Sequence, residues 1–346
     1  MNSFMRGNSK KLLVDALYIN ESGGLRLLEY LITTLEKRQM DYFLLADARC
    51  SGRFDYCKSV HYMMASLYER RRFYKANARS FSSVLCFGNI PSPIKLNVPV
   101  YTYFHNINLL TLAEASSLAV KVKSWLKREV FRFYKRNTDF WLVQTSNTKN
   151  ELINHLGEDA ERVKLMPFYD LPDELSVLNG EKHGEDYVYI STYVPGKGHE
   201  TLLAAWRILH KKGINRTLHL TVPFDRHPFV DEVEKAKRLG VDVINHGIIP
   251  FDQVIELYHQ SKAIVYPSHN ESLGLGIVEA LTAGCDVIGA DLPYLHSICQ
   301  PSNMFNPYSS YSLADAIIEY EKRMCPKSKL YISNQINNLI ELISQN

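Results

Sequence analysis

The stretch Pro267-Ser268-His269-Asn270-Glu271-Ser272-Leu273-Gly274-Leu275-Gly276-Ile277-Val278-Glu279-Ala280-Leu281-Thr282-Ala283-Gly284 decides the fold. Just before it, Ala263-Ile264-Val265-Tyr266 is an unbroken apolar run that reads as a buried strand, and Pro267 stops it. A loop of small and polar residues follows, then a helical segment over Gly276–Ala283 that Gly284 terminates. Strand, small-residue loop and helix make the repeating unit of a doubly wound parallel sheet, and the N–H groups at such a helix start form a site for an anion. Ser272, Gly274 and Gly276 bring backbone N–H groups there without side-chain bulk, which suits a diphosphate. Glu271 falls in the loop and Glu279 about two turns further on, where carboxylates can accept from vicinal hydroxyls of a sugar and of a ribose. Taken alone, two glutamates around a helix start are as readily a cap and a surface side chain, so the surroundings must decide.

Working outward, the same alternation fills the second half. Strands are expected at Tyr187–Ser191, Thr217–Val222, Val241–Asn245, Ala263–Tyr266 and Asp286–Ala290, with helices at Glu200–Lys211, Phe229–Leu239 and Phe251–Gln260 between them. Residues 311–346 also read as helical. The first half repeats the plan: Lys11–Ile19 is a strand ending at Asn20-Glu21-Ser22-Gly23-Gly24, and Leu25–Leu35 is a helix. Further strands are expected at Asp41–Ala46, Ser83–Phe87, Val98–Phe104 and Phe140–Thr145, with a helix from Asn147 to Leu156. Met166-Pro167-Phe168-Tyr169-Asp170-Leu171-Pro172 and the polar stretch to Glu185 read as a linker. The expected fold class is α/β: two Rossmann-like doubly wound domains, 1–168 and 169–346, facing a central cleft, the last helices packing back on the first.

Composition agrees with a globular α/β chain: of 346 residues, 46% are hydrophobic and 22% charged. No stretch approaches the roughly 18 apolar residues of a membrane span, and Met1-Asn2-Ser3-Phe4-Met5-Arg6 opens no signal-peptide core. The six cysteines are scattered without a C-x-x-C pair, which points away from a disulfide framework or a zinc site and toward a reducing cytoplasm. The net charge of +3 hides an asymmetry: residues 1–168 hold 25 Lys/Arg against 15 Asp/Glu, and residues 169–346 hold 15 against 22. Much of the excess lies in Arg70-Arg71-Arg72-Phe73-Tyr74-Lys75 and in the 117–136 segment, where Lys121, Lys123, Lys127, Arg128, Arg132, Lys135 and Arg136 alternate with Val122, Trp125, Leu126, Val130, Phe131 and Phe133. Such a helix lies on an anionic membrane surface or receives a phosphate-bearing substrate, or else is a solvated face with its aromatics in the core. No nucleic-acid module accompanies the charge, so nucleic acid is not an expected partner.

The 267–284 stretch resembles the retaining glycosyltransferases of the GT-B fold, family 4 (glycosyl transferases group 1), whose pattern is P-S-x-x-E-x-F-G-x-x-x-x-E-A-x-A-x-G. Pro267, Ser268, Glu271, Gly274, Glu279, Ala280, Ala283 and Gly284 match it, with Leu273 where the family often has Phe. Cys285-Asp286-Val287-Ile288-Gly289-Ala290-Asp291-Leu292-Pro293 is similar to the block that follows, and Ile190–Ala205 to the family's strand, G-R-L-x-x-x-K-G turn and helix. There Lys197 is retained and Thr192 stands at the Arg position. His199, Arg226 and Arg26 are the candidates to compensate, and the sequence does not choose among them. Gly23-Gly24 resembles the glycine loop of the first domain, His105 the histidine that closes a strand near the donor sugar, and His246-Gly247-Ile248 the segment beside the nucleotide base. Alone, each has a bland reading: a surface lysine, a packed histidine, a common Gly-Gly turn.

The resemblance implies transfer of a glycosyl group, with retention, from a nucleotide diphosphate sugar to a glycan or lipid-linked glycan, as in bacterial-type surface polysaccharide assembly. The implied catalytic residues are His105, Glu271 and Lys197. The implied donor contacts are Gly23, Gly24, Thr192, Lys197, Gly247, Ile248, Glu271, Ser272, Leu273, Gly274, Leu275 and Glu279. No D-x-D triplet occurs, so no metal and no other cofactor is expected. The expected location is the cytoplasm, peripheral to the inner membrane face through the basic segment. Two alternatives share the architecture: a sugar-nucleotide epimerase of GT-B fold and an inactive partner subunit, the latter suggested by Thr192. A dinucleotide oxidoreductase is disfavoured because no G-x-G-x-x-G follows a strand.

Overall fold

The computed structural model describes residues 10–110, 125, 126, 129, 131–176, 184–322 and 325–345. The chain divides into two compact units, residues 1–170 with 333–346, and residues 171–332. Most of the basic 117–136 segment, including Lys121, Lys123, Lys127 and Arg128, lies outside the described residues.

In the first unit seven parallel strands are ordered β3-β2-β1-β4-β5-β6-β7. They are β1 Lys11–Ala16, β2 Tyr42–Asp47, β3 Val60–Met63, β4 Phe81–Cys86, β5 Val100–Phe104, β6 Phe140–Val143 and β7 Val163–Leu165. The central strands are apolar on both faces, as a parallel sheet under helices requires; all six residues of β2 are buried. The order reverses between β1 and β4, so right-handed crossovers place helices on opposite faces before and after that point. The helix Ile336–Ser344 belongs to this unit, where Ile336, Leu339, Ile340 and Ile343 join the cluster of Leu12, Val14 and Leu31. The Ser83 hydroxyl donates to the Ile343 carbonyl at 2.7 Å.

The second unit has six parallel strands ordered β10-β9-β8-β11-β12-β14, the same winding. They are β8 Asp186–Tyr189, β9 Leu218–Leu220, β10 Val243–Asn245, β11 Ser261–Tyr266, β12 Asp286–Ala290 and β14 Asn303–Phe305; β13 Cys299–Gln300 and β15 Lys329–Leu330 form a separate antiparallel pair. Its reversal falls between β8 and β11.

The expected strands and helices recur within a few residues of their expected limits. The region 311–346 differs: it holds two helices, Ser310–Glu321 and Ile336–Ser344, with β15 between. The helix Leu67–Asn77 was hidden in the basic run, and Arg70, one of its charges, is a buried residue rather than a solvated one. Its guanidinium Nε lies 2.8 Å from the Asp15 carboxylate, which also accepts from Tyr74 Oη at 2.6 Å, and its other N–H groups reach the Ile90 and Pro91 carbonyls. A buried charge tolerates that position because each guanidinium nitrogen has an acceptor. Among the described residues no helix is long and apolar enough to cross a membrane.

Candidate functional site

In a doubly wound sheet ligands gather at the carboxyl ends of the strands where the order reverses. In the second unit that point lies between β8 and β11, and the loops leaving these strands carry Thr192–Gly198 and Pro267–Gly274. The two loops are joined tightly. Gly198 adopts φ +70 as the residue before the helix His199–Lys211, and a Cβ there would stand 2.3 Å from the Pro267 carbonyl oxygen. The His269 N–H donates to the Gly196 carbonyl at 2.8 Å. Tyr189 Oη donates to the Lys197 carbonyl at 2.9 Å and Tyr294 Oη to the Ser268 carbonyl at 2.6 Å.

This scaffold brings Lys197 and Glu271 together: Nζ lies 2.5 Å from Oε1. The same Glu271 oxygen accepts from Tyr266 Oη at 3.0 Å, and burial, followed by the neighbouring carboxylate, holds the Tyr266 phenol protonated well above its ordinary range. Glu271 is therefore oriented by one cation and one permanent donor. Gly274 ends the loop in the left-handed region at φ +63, packed so that a Cβ would meet Ile298 at 2.8 Å, and the helix Leu275–Thr282 begins at the next residue. Leu273 is buried, whereas Ser272 and Leu275 are half-buried. Glu279 lies on the buried side of that helix, 3% exposed, and accepts from Tyr258 Oη at 3.1 Å. Thr192 is exposed on the β8 loop.

Of the residues weighed as substitutes for the missing arginine, His199 cannot carry charge at neutral pH. It is buried at the first position of its helix, and burial pushes its imidazole down to about 4. Arg226 is exposed beside Asp225, at 3.8 Å, just before the helix His227–Arg238. Arg26 is exposed on the helix Ser22–Lys37 of the first unit.

At the corresponding edge of the first unit, Gly23 and Gly24 form the first turn of the helix Ser22–Lys37 rather than a turn before it. Gly24 lies close to His105: a Cβ would come 3.2 Å from Nε2, so that the ring would have to give by a few tenths of an ångström, whereas one on Gly23 would meet nothing within 4 Å. His105 packs against the stacked rings of Phe87 and Tyr103, with centroids at 5.2 and 5.8 Å. Asn89 accepts from the His105 N–H at 2.8 Å and donates its side-chain amide to Nε2 at 3.3 Å, so neutral His105 carries its proton on Nδ1. Burial lowers its pKa to about 4. Asn89, in the left-handed region at φ +66, escaped the sequence reading because Gly88-Asn89 looks like an ordinary turn. Tyr266 and Tyr258 escaped because a tyrosine in an apolar strand or helix reads as core.

At the outer side of the second sheet, Gly247 takes φ +70 with its backbone against the Phe224 ring, where a Cβ would stand 2.4 Å away, and Ile248 is 81% exposed. Gly247 donates to the Asn245 side-chain oxygen at 3.3 Å.

Residues 174–337 match the family model of glycosyl transferases group 1. Over 223 residues the chain is 26% identical to the serotype-specific mannosyltransferase WbdA of Escherichia coli, a match covering 62% of this chain and 26% of that protein. The match thus spans about a quarter of that relative's length. Among solved structures, sucrose-phosphate synthase of Thermosynechococcus elongatus superposes with a TM-score of 0.68 at 16% identity, covering 90% of each chain. HepE of Anabaena, solved with UDP and glucose, gives 0.62 at 16% identity over 91% of each. The fold is that of the GT-B glycosyltransferases, and residues 174–337 are similar to glycosyl transferases group 1.

Proposed function

We propose that this protein transfers a sugar from a nucleotide diphosphate sugar to a hydroxyl of a glycan or lipid-linked glycan, with retention of configuration, in the assembly of a bacterial-type surface polysaccharide. The observation that carries the reading is the Lys197–Glu271 pair held at the reversal point of the second sheet. A diphosphate arriving at the start of the helix Leu275–Thr282 would meet backbone N–H groups, a helix dipole and the Lys197 ammonium. That positive potential opposes the charge that builds on the departing diphosphate, without a metal ion. Glu271, freed from part of its pairing with Lys197, would accept from sugar hydroxyls, and Glu279 from the ribose. His105, neutral and gripped by Asn89, would stand by the reacting carbon as a polar wall rather than as a charge. Thr192, Gly247 and Ile248 would line the donor, and Gly23 and Gly24 would admit it closely.

Support comes from the relatives: WbdA is a serotype-specific mannosyltransferase, in keeping with a surface glycan as product, and HepE, solved with UDP and glucose, is in keeping with a nucleotide-sugar donor. A membrane-apposed acceptor is favoured by the exposed Trp125, Leu126 and Phe133, which share the basic segment with Arg132 and Arg136.

The test is thermal stabilisation of the purified chain by UDP, GDP, dTDP, CDP and ADP, with magnesium and with chelator. A diphosphate at 100 times its dissociation constant adds about 2.7 kcal/mol. We expect one diphosphate to stabilise the wild type equally under both conditions and to lose the effect in Lys197→Gln. Transfer from the matching nucleotide sugar, with the product's anomeric configuration read by NMR, completes it. A folded protein that answers to no nucleotide refutes the donor site and leaves the inactive-subunit reading.

A further inference from the structure

A chain of three titratable side chains crosses the second sheet and ends beside the Phe224–Ile248 rim. Asp186 opens β8, His219 sits in the middle of β9, and His246 follows β10; the three strands are neighbours. His219 Nε2 lies 3.1 Å from the Asp186 carboxylate, and His219 Nδ1 lies 2.9 Å from His246 Nε2. The two ring planes are inclined by 30° with centroids 5.2 Å apart, the spacing that their edge-to-edge hydrogen bond sets, and His219 is buried.

Hydrogen-bond polarity runs one way along such a chain. A carboxylate only accepts, so His219 Nε2 holds a proton. A neutral His219 then offers only a lone pair at Nδ1, and His246 must supply the proton from its own Nε2. His246 Nδ1 is left as a fixed acceptor. Burial, and then the His219 ring, lower the His246 pKa, so the acceptor is not lost to protonation near neutral pH.

The surroundings fit a flat heteroaromatic ligand. The Phe224 ring lies against the Gly247 backbone and is 59% exposed, and Ile248 is exposed beside them. An exposed ring and an exposed aliphatic chain beside Gly247, the residue that follows His246, make a stacking platform next to that imidazole in the chain. β10 stands two strands from β8, about 10 Å along the edge at the usual strand spacing. That is the scale of the reach from a nucleotide's diphosphate to its base. Resting on the donor-site reading above, we propose that His246 Nδ1 reads the donor base by accepting from its imino N–H, so that Asp186 and His219 select uracil-, thymine- or guanine-type bases against cytosine and adenine, which present a lone pair at that position.

Two measurements test this on the full chain. Two-bond 15N–1H correlation spectra of histidine-labelled protein, assigned with His246→Ala, should show His246 protonated at Nε2 and not at Nδ1. Calorimetric binding should favour UDP over CDP, or GDP over ADP, by about tenfold or more, the worth of one hydrogen bond set against two facing lone pairs. In His246→Ala that ratio should fall to near unity while the bound diphosphate still depends on Lys197. A proton on His246 Nδ1, with His219 an imidazolium, overturns the proposal, as does an unchanged ratio in the variant. Binding of no nucleoside diphosphate at all overturns the donor site along with it, and the spectra then report separately whether the tautomer was right.

Discussion

Lowering the pH from 7 to 5 should weaken the second unit through His199. Its Nε2 donates to the Ser191 carbonyl at 3.3 Å, leaving Nδ1 buried without a partner. Protonation would put an N–H at Nδ1 with nothing to receive it, at the first position of a helix, whose dipole opposes positive charge. Burial is the main cause that moves the imidazole from 6.5 down to about 4 in the folded chain; Lys197 adds to it, while the Ser191 hydrogen bond and Glu200 oppose it. Between those two values the unfolded chain binds the proton and the folded one does not, so stability is full above about 6.5 and falls as the pH drops below it. At pH 5 the linkage amounts to about 2 kcal/mol, from a shift of roughly two and a half units at 1.36 kcal/mol each, part of which remains unexpressed until pH 4. The comparison is wild type against His199→Gln, which keeps a donor toward Ser191 but does not titrate. Urea denaturation at pH 7 and pH 5 should show wild type losing about 2 kcal/mol more than the variant between the two. Equal losses, or a His199 ring resonance that titrates near 6.5, would refute the neutral buried imidazole and would restore His199 as a cation facing the donor.

Two further expectations follow from the packing. Arg70→Met leaves the Asp15 carboxylate buried without its cation and should destabilise the first unit by about 3–5 kcal/mol in denaturant titration, with partial recovery in Asp15→Asn combined with it. Gly198→Ala drives a Cβ into the Pro267 carbonyl and should abolish nucleotide stabilisation, whereas Gly196→Ala, at φ +86 with open space around it, should cost only about 1–2 kcal/mol of backbone strain and keep the ligand response.

The repeating strand–helix units were legible because buried parallel strands write unbroken apolar runs and glycines mark their ends, as around Ala263–Gly284. The helix Leu67–Asn77 was not, because its three consecutive arginines carry no amphipathic signal; only the fold reveals that Arg70 points at Asp15 fifty-five residues earlier. Lys197 and Glu271 were singled out through the resemblance to family motifs, and their pairing is a tertiary fact that no local pattern encodes. Gly23-Gly24 read as a turn because two glycines favour one, yet Gly24 lies in a helix, close to His105. Asn89 and the Asp186–His219–His246 chain share a single obstacle: each acts through a partner distant in sequence, whereas Tyr266 was passed over as a core residue of its strand.

The two units share a winding but treat their reversal points oppositely, and that difference favours the second unit for the donor proposed above. In the first unit, Asp15 near the end of β1 is sealed by Arg70 and Tyr74 over Cys86 of β4; both charged side chains are almost wholly buried. Each carboxylate oxygen and each guanidinium nitrogen of that cluster already has a partner within the protein, so the buried cation is taken before an anion could use it. In the second unit the ion pair at the same topological position lies in the loops above the strands, with the Lys197 side chain 26% and the Glu271 side chain 13% exposed. The Lys197 ammonium has three donor hydrogens and sits where solvent reaches it, so a diphosphate can share it without stranding Glu271, which keeps the Tyr266 hydroxyl. A sheet whose reversal point is filled by its own charges is a structural core; one whose charges stand at the surface on glycine-bounded loops can exchange a carboxylate for a phosphate at little cost in desolvation.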